Sequence, residues 1–200
     1  MGSGSLPAGS IPRDNMDEIS FEELGVNFVT HVVTPERVAA TIAHVAGSEV
    51  RVGPMNAGPG GAASVSAVGK VGTVTAGNSF REGLSFDAMI PIDISLDVRI
   101  AGASHKYNGK LSVPLHITLR AVPPVMLRFD IDPVQPDEVG VELSAEGVRA
   151  KVLQRIGGID EEVRRAVAST VTERLDAPRA RAVREIDILQ RVTDVWEPGG

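Results

Sequence analysis

The sequence predicts an α+β fold in which a long, curved antiparallel β-meander wraps one or two long amphipathic helices. Three observations carry that expectation. In residues 84–100, LSFDAMIPIDISLDVRI, every even position from Leu84 to Ile100 is apolar and most odd positions are polar or charged. Successive strand side chains point to opposite faces, so this is one strand with an apolar and a wetted face, and it far exceeds the usual five or six residues. Residues 103–121 repeat the pattern, with Leu111, Val113, Leu115, Ile117 and Leu119 on the apolar side. The pattern then changes to a four-residue step, Val163, Val167, Val171 and Leu175, which marks one stripe of a helix.

Composition narrows the classes. The chain has 200 residues, 42% of them hydrophobic, and a net charge of −6. That length fits a single domain over residues 19–198, preceded by a Gly-, Ser- and Pro-rich arm over 1–18 that reads as disordered. The acidic balance argues against a nucleic-acid partner or an anionic membrane surface. No cysteine is present, so thiol nucleophiles and thiolate metal sites are excluded. No run approaches the roughly 18 apolar residues of a membrane span, and no signal peptide is visible, so the chain reads as cytoplasmic without an integral membrane segment. Sixteen arginines against four lysines, with much Ala, Val and Gly, match a GC-rich bacterial genome. One Tyr, one Trp and five Phe leave the core to Val, Ile, Leu and Ala.

Along the chain, residues 26–33 (VNFVTHVV) are β-branched and read as a strand. Thr34 as N-cap, Pro35 at the first helical position and Glu36 in the first turn start a helix with Val38, Ile42 and Val45 on one side, stopped by Gly47. Residues 49–55 and 65–75 read as strands, the second bent at Gly69 and Gly72. If Ala101–Gly102 is a two-residue turn, the long strands pair so that Ile92 meets Leu111, Ile90 meets Val113 and Phe86 meets Ile117. The same register sets Asp97 against Lys106, Asp93 against Lys110 and Asp87 against His116, pairs that contribute about 0.2–1 kcal/mol each. The competing turn at Asn108–Gly109 would oppose Leu111 to Lys106, so the first register is favoured. Pro91 and Pro114 predict a kink, bulge or edge. After Pro123–Pro124 a third strand carries Val125, Leu127, Phe129 and Ile131 inward, its turn opposing Ala121 to Val125 and His116 to Asp130. Residues 139–145 close the meander. Val148, Val152 and Ile156 predict one helix, Asp160 caps a second that ends at Pro178, Ile186 and Ile188 mark a short extended piece, and 190–196 form a last helical turn.

This order, with the seventeen-residue alternating strand, the V-x3-V-x3-V-x3-L helix from Val163 to Leu175 and EIDIL at 185–189, resembles the tubular lipid-binding (TULIP) superfamily, which includes SMP domains and BPI-like proteins. The resemblance spans roughly residues 34–196. It implies a curved sheet around a long helix with an apolar tunnel between them, and a lipid as cargo.

The residues themselves point the same way. A 17-residue strand is about 56 Å long and helices of 12–16 residues about 18–24 Å. Either the sheet curls, a second chain covers it, or a ligand fills part of the space. The leading function is therefore binding of a hydrophobic small molecule or lipid. Its candidate ligand-binding residues are Leu84, Phe86, Ile90, Ile92 and Ile94 on the first long strand and Leu115 and Ile117 on the second. Leu127 and Phe129 on the third strand and Val163, Val167 and Val171 on the helix complete the set. The alternatives are a cyclase or isomerase of a polyketide-like substrate and a ligand-free module, a homodimer in which a partner covers the face. For catalysis the weak candidates are His116 flanked by Asp87 and Asp130, a set whose blander reading is a solvated charge ladder. His31, His44 and His105 are scattered, so neither a metal nor a cofactor is expected. Arg164–Arg165 and Arg179, Arg181 and Arg184 form basic clusters suited to a lipid head group or an acidic partner, or to a solvated helix face.

Overall fold

The computed structural model describes residues 18–57, 59–61, 63–81, 83–145 and 159–196. The chain divides into two compact units between Thr34 and Pro35. The disordered arm expected over 1–18 falls almost wholly outside the described residues, as does the helix expected around Val148, Val152 and Ile156.

The described part of the first unit is a helix, α1 (Phe21–Val32), where the β-branched run predicted a strand. The reason is local. Ser20 and Glu23 form a reciprocal capping box, in which Glu23 N–H donates to Ser20 Oγ at 3.1 Å and Ser20 N–H to Glu23 Oε2 at 2.9 Å. That closes two of the helix's orphan donors and outweighs the weak strand preference of Val and Phe.

The second unit is α+β: a strongly curled antiparallel half-barrel of eight strands with helices. It opens with α2 (Pro35–Ala46), as the TPER start predicts. Gly47 ends it at φ 73°, and its N–H donates to the Ala43 carbonyl. The strands β1 (Glu49–Ala57), β2 (Ala63–Val71) and β3 (Thr75–Asn78) follow, then the long pair β4 (Ser85–Ile100) and β5 (Ala103–Val122). Beyond them come β6 (Met126–Ile131) and β7 (Gly140–Ala145), the helices α3 (Ile159–Asp176) and α4 (Pro178–Arg184), β8 (Glu185–Asp187), and α5 (Ile188–Trp196), which is longer than the single turn expected.

The β4–β5 ribbon has the predicted register, with Ile92 opposite Leu111, Phe86 opposite Ile117 and Asp87 opposite His116. Ala101 (φ 49°) and Gly102 (φ 82°) both sit at positive φ, as a tight hairpin turn that follows the strand twist requires. The ribbon changes neighbours halfway. Its turn end pairs with β2 and β7, its open end with β3 and β6. The residues 139–145 do form a strand, but on β5 rather than on β6.

Pro91 and Pro114 sit at this changeover, and the pairing of β4 with β5 runs past them without a bulge. The Pro91 carbonyl accepts from Gly72 N–H at 2.8 Å, so its nitrogen faces the gap between β2 and β3. By the alternation of the ladder Pro114 points its nitrogen the other way, on the side where the His116 carbonyl accepts from Asp132. That side is the gap between β6 and β7. Each proline thus stands where no partner strand asks for an N–H.

The inner face of the ribbon is the core. Phe86, Val98, Tyr107 and Val113 are fully buried, and Ile90, Ile92, Leu115 and Ile117 nearly so. Val163, Val167, Val171 and Leu175 are all buried, on one stripe of α3. The guanidinium of Arg174 ties this helix to the α2–β1 loop, donating to the Ala46 and Glu49 carbonyls at 2.8 and 2.9 Å. The curl needs room on its concave side, and Gly69 and Gly109 flank Ile94 in one cross-strand row. A Cβ on Gly69 would lie 2.7 Å from Ile92 Cγ2, and one on Gly109 would run into the Glu142 carbonyl and Leu143.

Gly109→Ala should therefore destabilise the protein by about 1–3 kcal/mol in urea unfolding, as overpacking does. Gly77→Ala, where a Cβ meets nothing within 4 Å, should stay within about 0.5 kcal/mol of the parent. Equal effects of the two would contradict this role for Gly109.

Candidate functional site

Two places on the second unit gather the residues singled out by sequence. The first is an apolar groove where the N-terminal half of α3 lies over the concave face. The sheet contributes Val52 and Met55 from β1, Val65 and Ala67 from β2, and Ile94 and Leu96 from β4; the helix contributes Glu162, Val163, Ala166 and Val167. Alternation on the strands and the four-residue step on the helix aim these side chains at one another. Glu162 is the one ionisable member, and Arg165 donates to both its carboxylate oxygens at 3.2 Å. The gap holds about 20 Å³, close to the size of one water.

Of the candidate ligand-binding residues, Ile94, Val163 and Val167 line this groove. Phe86, Ile90, Ile92, Leu115, Ile117, Leu127 and Val171 are buried in the core, while Leu84 and Phe129 are partly exposed. Val125, expected inward, is 46% exposed at the turn before β6. The sequence reading missed Val52, Met55, Val65, Ala67, Leu96 and Ala166. Leu96 lay in the alternation already recognised, and the period-2 step Val65, Ala67, Gly69 was legible too. Met55 was hidden by a bulge, since β1 gains one residue on β2 between Val52 and Met55.

The second place is the outer face around His116. Its Nδ1–H donates to Asp87 Oδ1 at 2.7 Å, and its Nε2 lies 3.9 Å from Glu138 Oε1 in the turn before β7. The expected flank by Asp130 is not formed. The β5–β6 register is two residues from the expected one, with Ala121 opposite Leu127, so Asp130 faces Thr118. Its carboxylate pairs with Arg128 at 2.9 Å and Arg120 at 3.5 Å. The turn spans residues 123–125, with Val122 opposite Met126, and a shift of two keeps Leu127 on the buried face in either register.

The His116 hydrogen bond holds the Asp87 carboxyl below its ordinary value, with help from a Ser79 hydrogen bond and the charges of His116 and Arg81 and against some burial. His116 and Asp87 side chains are 26% and 50% exposed, so the pair is a partly screened surface contact of about 0.2–1 kcal/mol. Among the described residues the polar side chains at the ring are the carboxylates of Asp87 and Glu138. Among the described residues no group of three or more His, Asp or Glu is placed to hold a metal ion, and no helix is long and apolar enough to cross a membrane. No family model matches the chain, and no curated protein matches it.

A carboxyl whose folded pKa is depressed contributes stability above its unfolded pKa and loses it as pH falls through the folded value. His116→Gln should therefore raise the pH at which Asp87 titrates, read by carboxyl-carbon NMR, and weaken the protein slightly from neutral pH down to about pH 4. An unmoved Asp87 titration would contradict this coupling.

Proposed function

We propose that this chain binds an apolar ligand, a hydrophobic small molecule or a lipid chain, between α3 and the concave face of the half-barrel. The observation that carries this reading is the groove lining. Nine of its ten residues are aliphatic, alanine or methionine, and the remaining one, Glu162, is paired with Arg165. At about 20 Å³ the gap is far below the roughly 300–1,000 Å³ of a ligand pocket, so binding requires α3 to lift from the sheet. The helix offers the sheet small side chains there, Val163, Ala166 and Val167. Each buried aliphatic side chain contributes about 1.5–3 kcal/mol, and a ligand's apolar surface would replace much of what lifting exposes. The half-barrel fold is compatible with a TULIP-like carrier. The cyclase alternative needs a polar group inside the groove, and Glu162 is its one candidate.

Ala166→Gln, which sets a polar side chain in the groove, should weaken saturable binding of a fluorescent fatty-acid analogue by at least about tenfold while leaving the circular dichroism spectrum unchanged. Absence of saturable binding to the parent protein, or equal binding by the variant, would overturn the reading.

A second reading, self-association, is favoured by α1. It buries no residue, and Phe21, Leu24 and Phe28 are exposed at heptad-like spacing, with Phe21 at 92%. If that face pairs two copies, light scattering should show a mass that rises with concentration and stays monomeric after Phe21→Ser with Phe28→Ser. A parent protein that stays monomeric throughout would exclude it.

A further inference from the structure

A third place, outside both sites above, gathers three arginines. Arg128 on β6 and Arg181 and Arg184 on α4 line one hollow of about 340 Å³ together with Phe129, Asp130, Ile131 and Glu185. The fold brings them together because β8 pairs with β6, setting Glu185 opposite Arg128, and α4 ends directly before β8.

The guanidiniums are only partly occupied. Arg128 Nε donates to Asp130 Oδ1 at 2.9 Å; Arg184 Nη2 donates to Asp176 Oδ1 at 3.3 Å, and Arg181 Nη2 lies 3.8 Å from the same oxygen. Each guanidinium carries five N–H donors in a rigid fork. The Arg184 side chain is just 13% exposed, yet among the described residues the one buried side-chain nitrogen without a partner is Arg164 Nε. The remaining donors of Arg184 are therefore open to solvent, and Arg184 lines the hollow. Asp130 also holds Arg120, at 3.5 Å, so four arginines stand against Asp130, Asp176 and Glu185. The local balance is positive in a chain whose net charge is −6.

We propose that this hollow binds a phosphate group, carried by a soluble phosphomonoester or by a lipid head group. A phosphate has the charge and the several oxygens that converging guanidiniums satisfy bidentately, which a single carboxylate does not. At about 340 Å³ the hollow has room for a phosphate together with the small group that carries it. The proposal does not rest on the apolar groove and can be tested with ligands that have no apolar part.

The test titrates the full chain with inorganic phosphate and glycerol 3-phosphate, following arginine Nε–H NMR signals. In parallel, flotation is measured with phosphatidylcholine vesicles with and without phosphatidate. Binding should be weak, about millimolar, and should fall with added salt. It should weaken at least about fivefold in both Arg181→Ala and Arg128→Gln, while Arg51→Ala on β1 leaves it unchanged. Saturable binding of the soluble ligands identifies a soluble phosphomonoester site. Flotation that depends on phosphatidate and on Arg181 and Arg128, without soluble binding, identifies a lipid head group. Binding in neither arm, or binding that all three variants retain equally, would overturn the proposal. Arg184→Lys, which keeps the charge but loses the fork, should also weaken binding and separates site loss from misfolding of α4.

Discussion

The register of the β4–β5 ribbon is the constraint on which everything else depends. With Ala101–Gly102 as its turn, the large apolar residues of both strands, Met89 and Val122 excepted, fall on one face and the charged pairs on the other. Because the side-chain period is two, a slip of one residue would turn that face out to water. The chain accepts Ala101 at positive φ, a conformation that costs a non-glycine residue about 1–2 kcal/mol. The burial gained along sixteen paired positions outweighs that cost many times over.

The curl then follows from what lies beside the ribbon. Neighbouring strands change at Pro91 and Pro114, so the two ends of the ribbon belong to differently oriented halves of the sheet. Gly69 and Gly109 clear the inner face between them. A strand too long for any of the helices here to cover is thus folded round α3, and Arg174 locks that helix to the end of α2. The result is a concave apolar face matched to a helix surface of small side chains. Opening that contact would expose Met55, Ile94 and Leu96 on the sheet, the apolar surface that a bound ligand would cover.

Much of this was legible from sequence because alternation and helical spacing are direct prints of burial. The ribbon, its turn and the α3 stripe from Val163 to Leu175 were read from period alone. What failed was what period does not encode. Residues 26–33 look strand-like by composition, and the capping box two turns upstream decided otherwise. Asp130 was placed beside His116 by a turn register two residues from the one formed, a shift that keeps every side chain on its face and so leaves no trace in the alternation, and the strand after it was joined to β6 because sequence neighbours usually pair. The arginine hollow was half visible: Arg181 and Arg184 stood out as a cluster, but Arg128 joins them only through the pairing of β8 with β6.

The claim that the space between α3 and the sheet receives an apolar ligand is tested most directly by native mass spectrometry of freshly purified protein, paired with organic extraction. The account expects a hydrophobic species bound near one per chain, released by the solvent and lost after Ala166→Gln. A parent protein that is ligand-free under the same gentle conditions, and that takes up no added fatty acid, would contradict it.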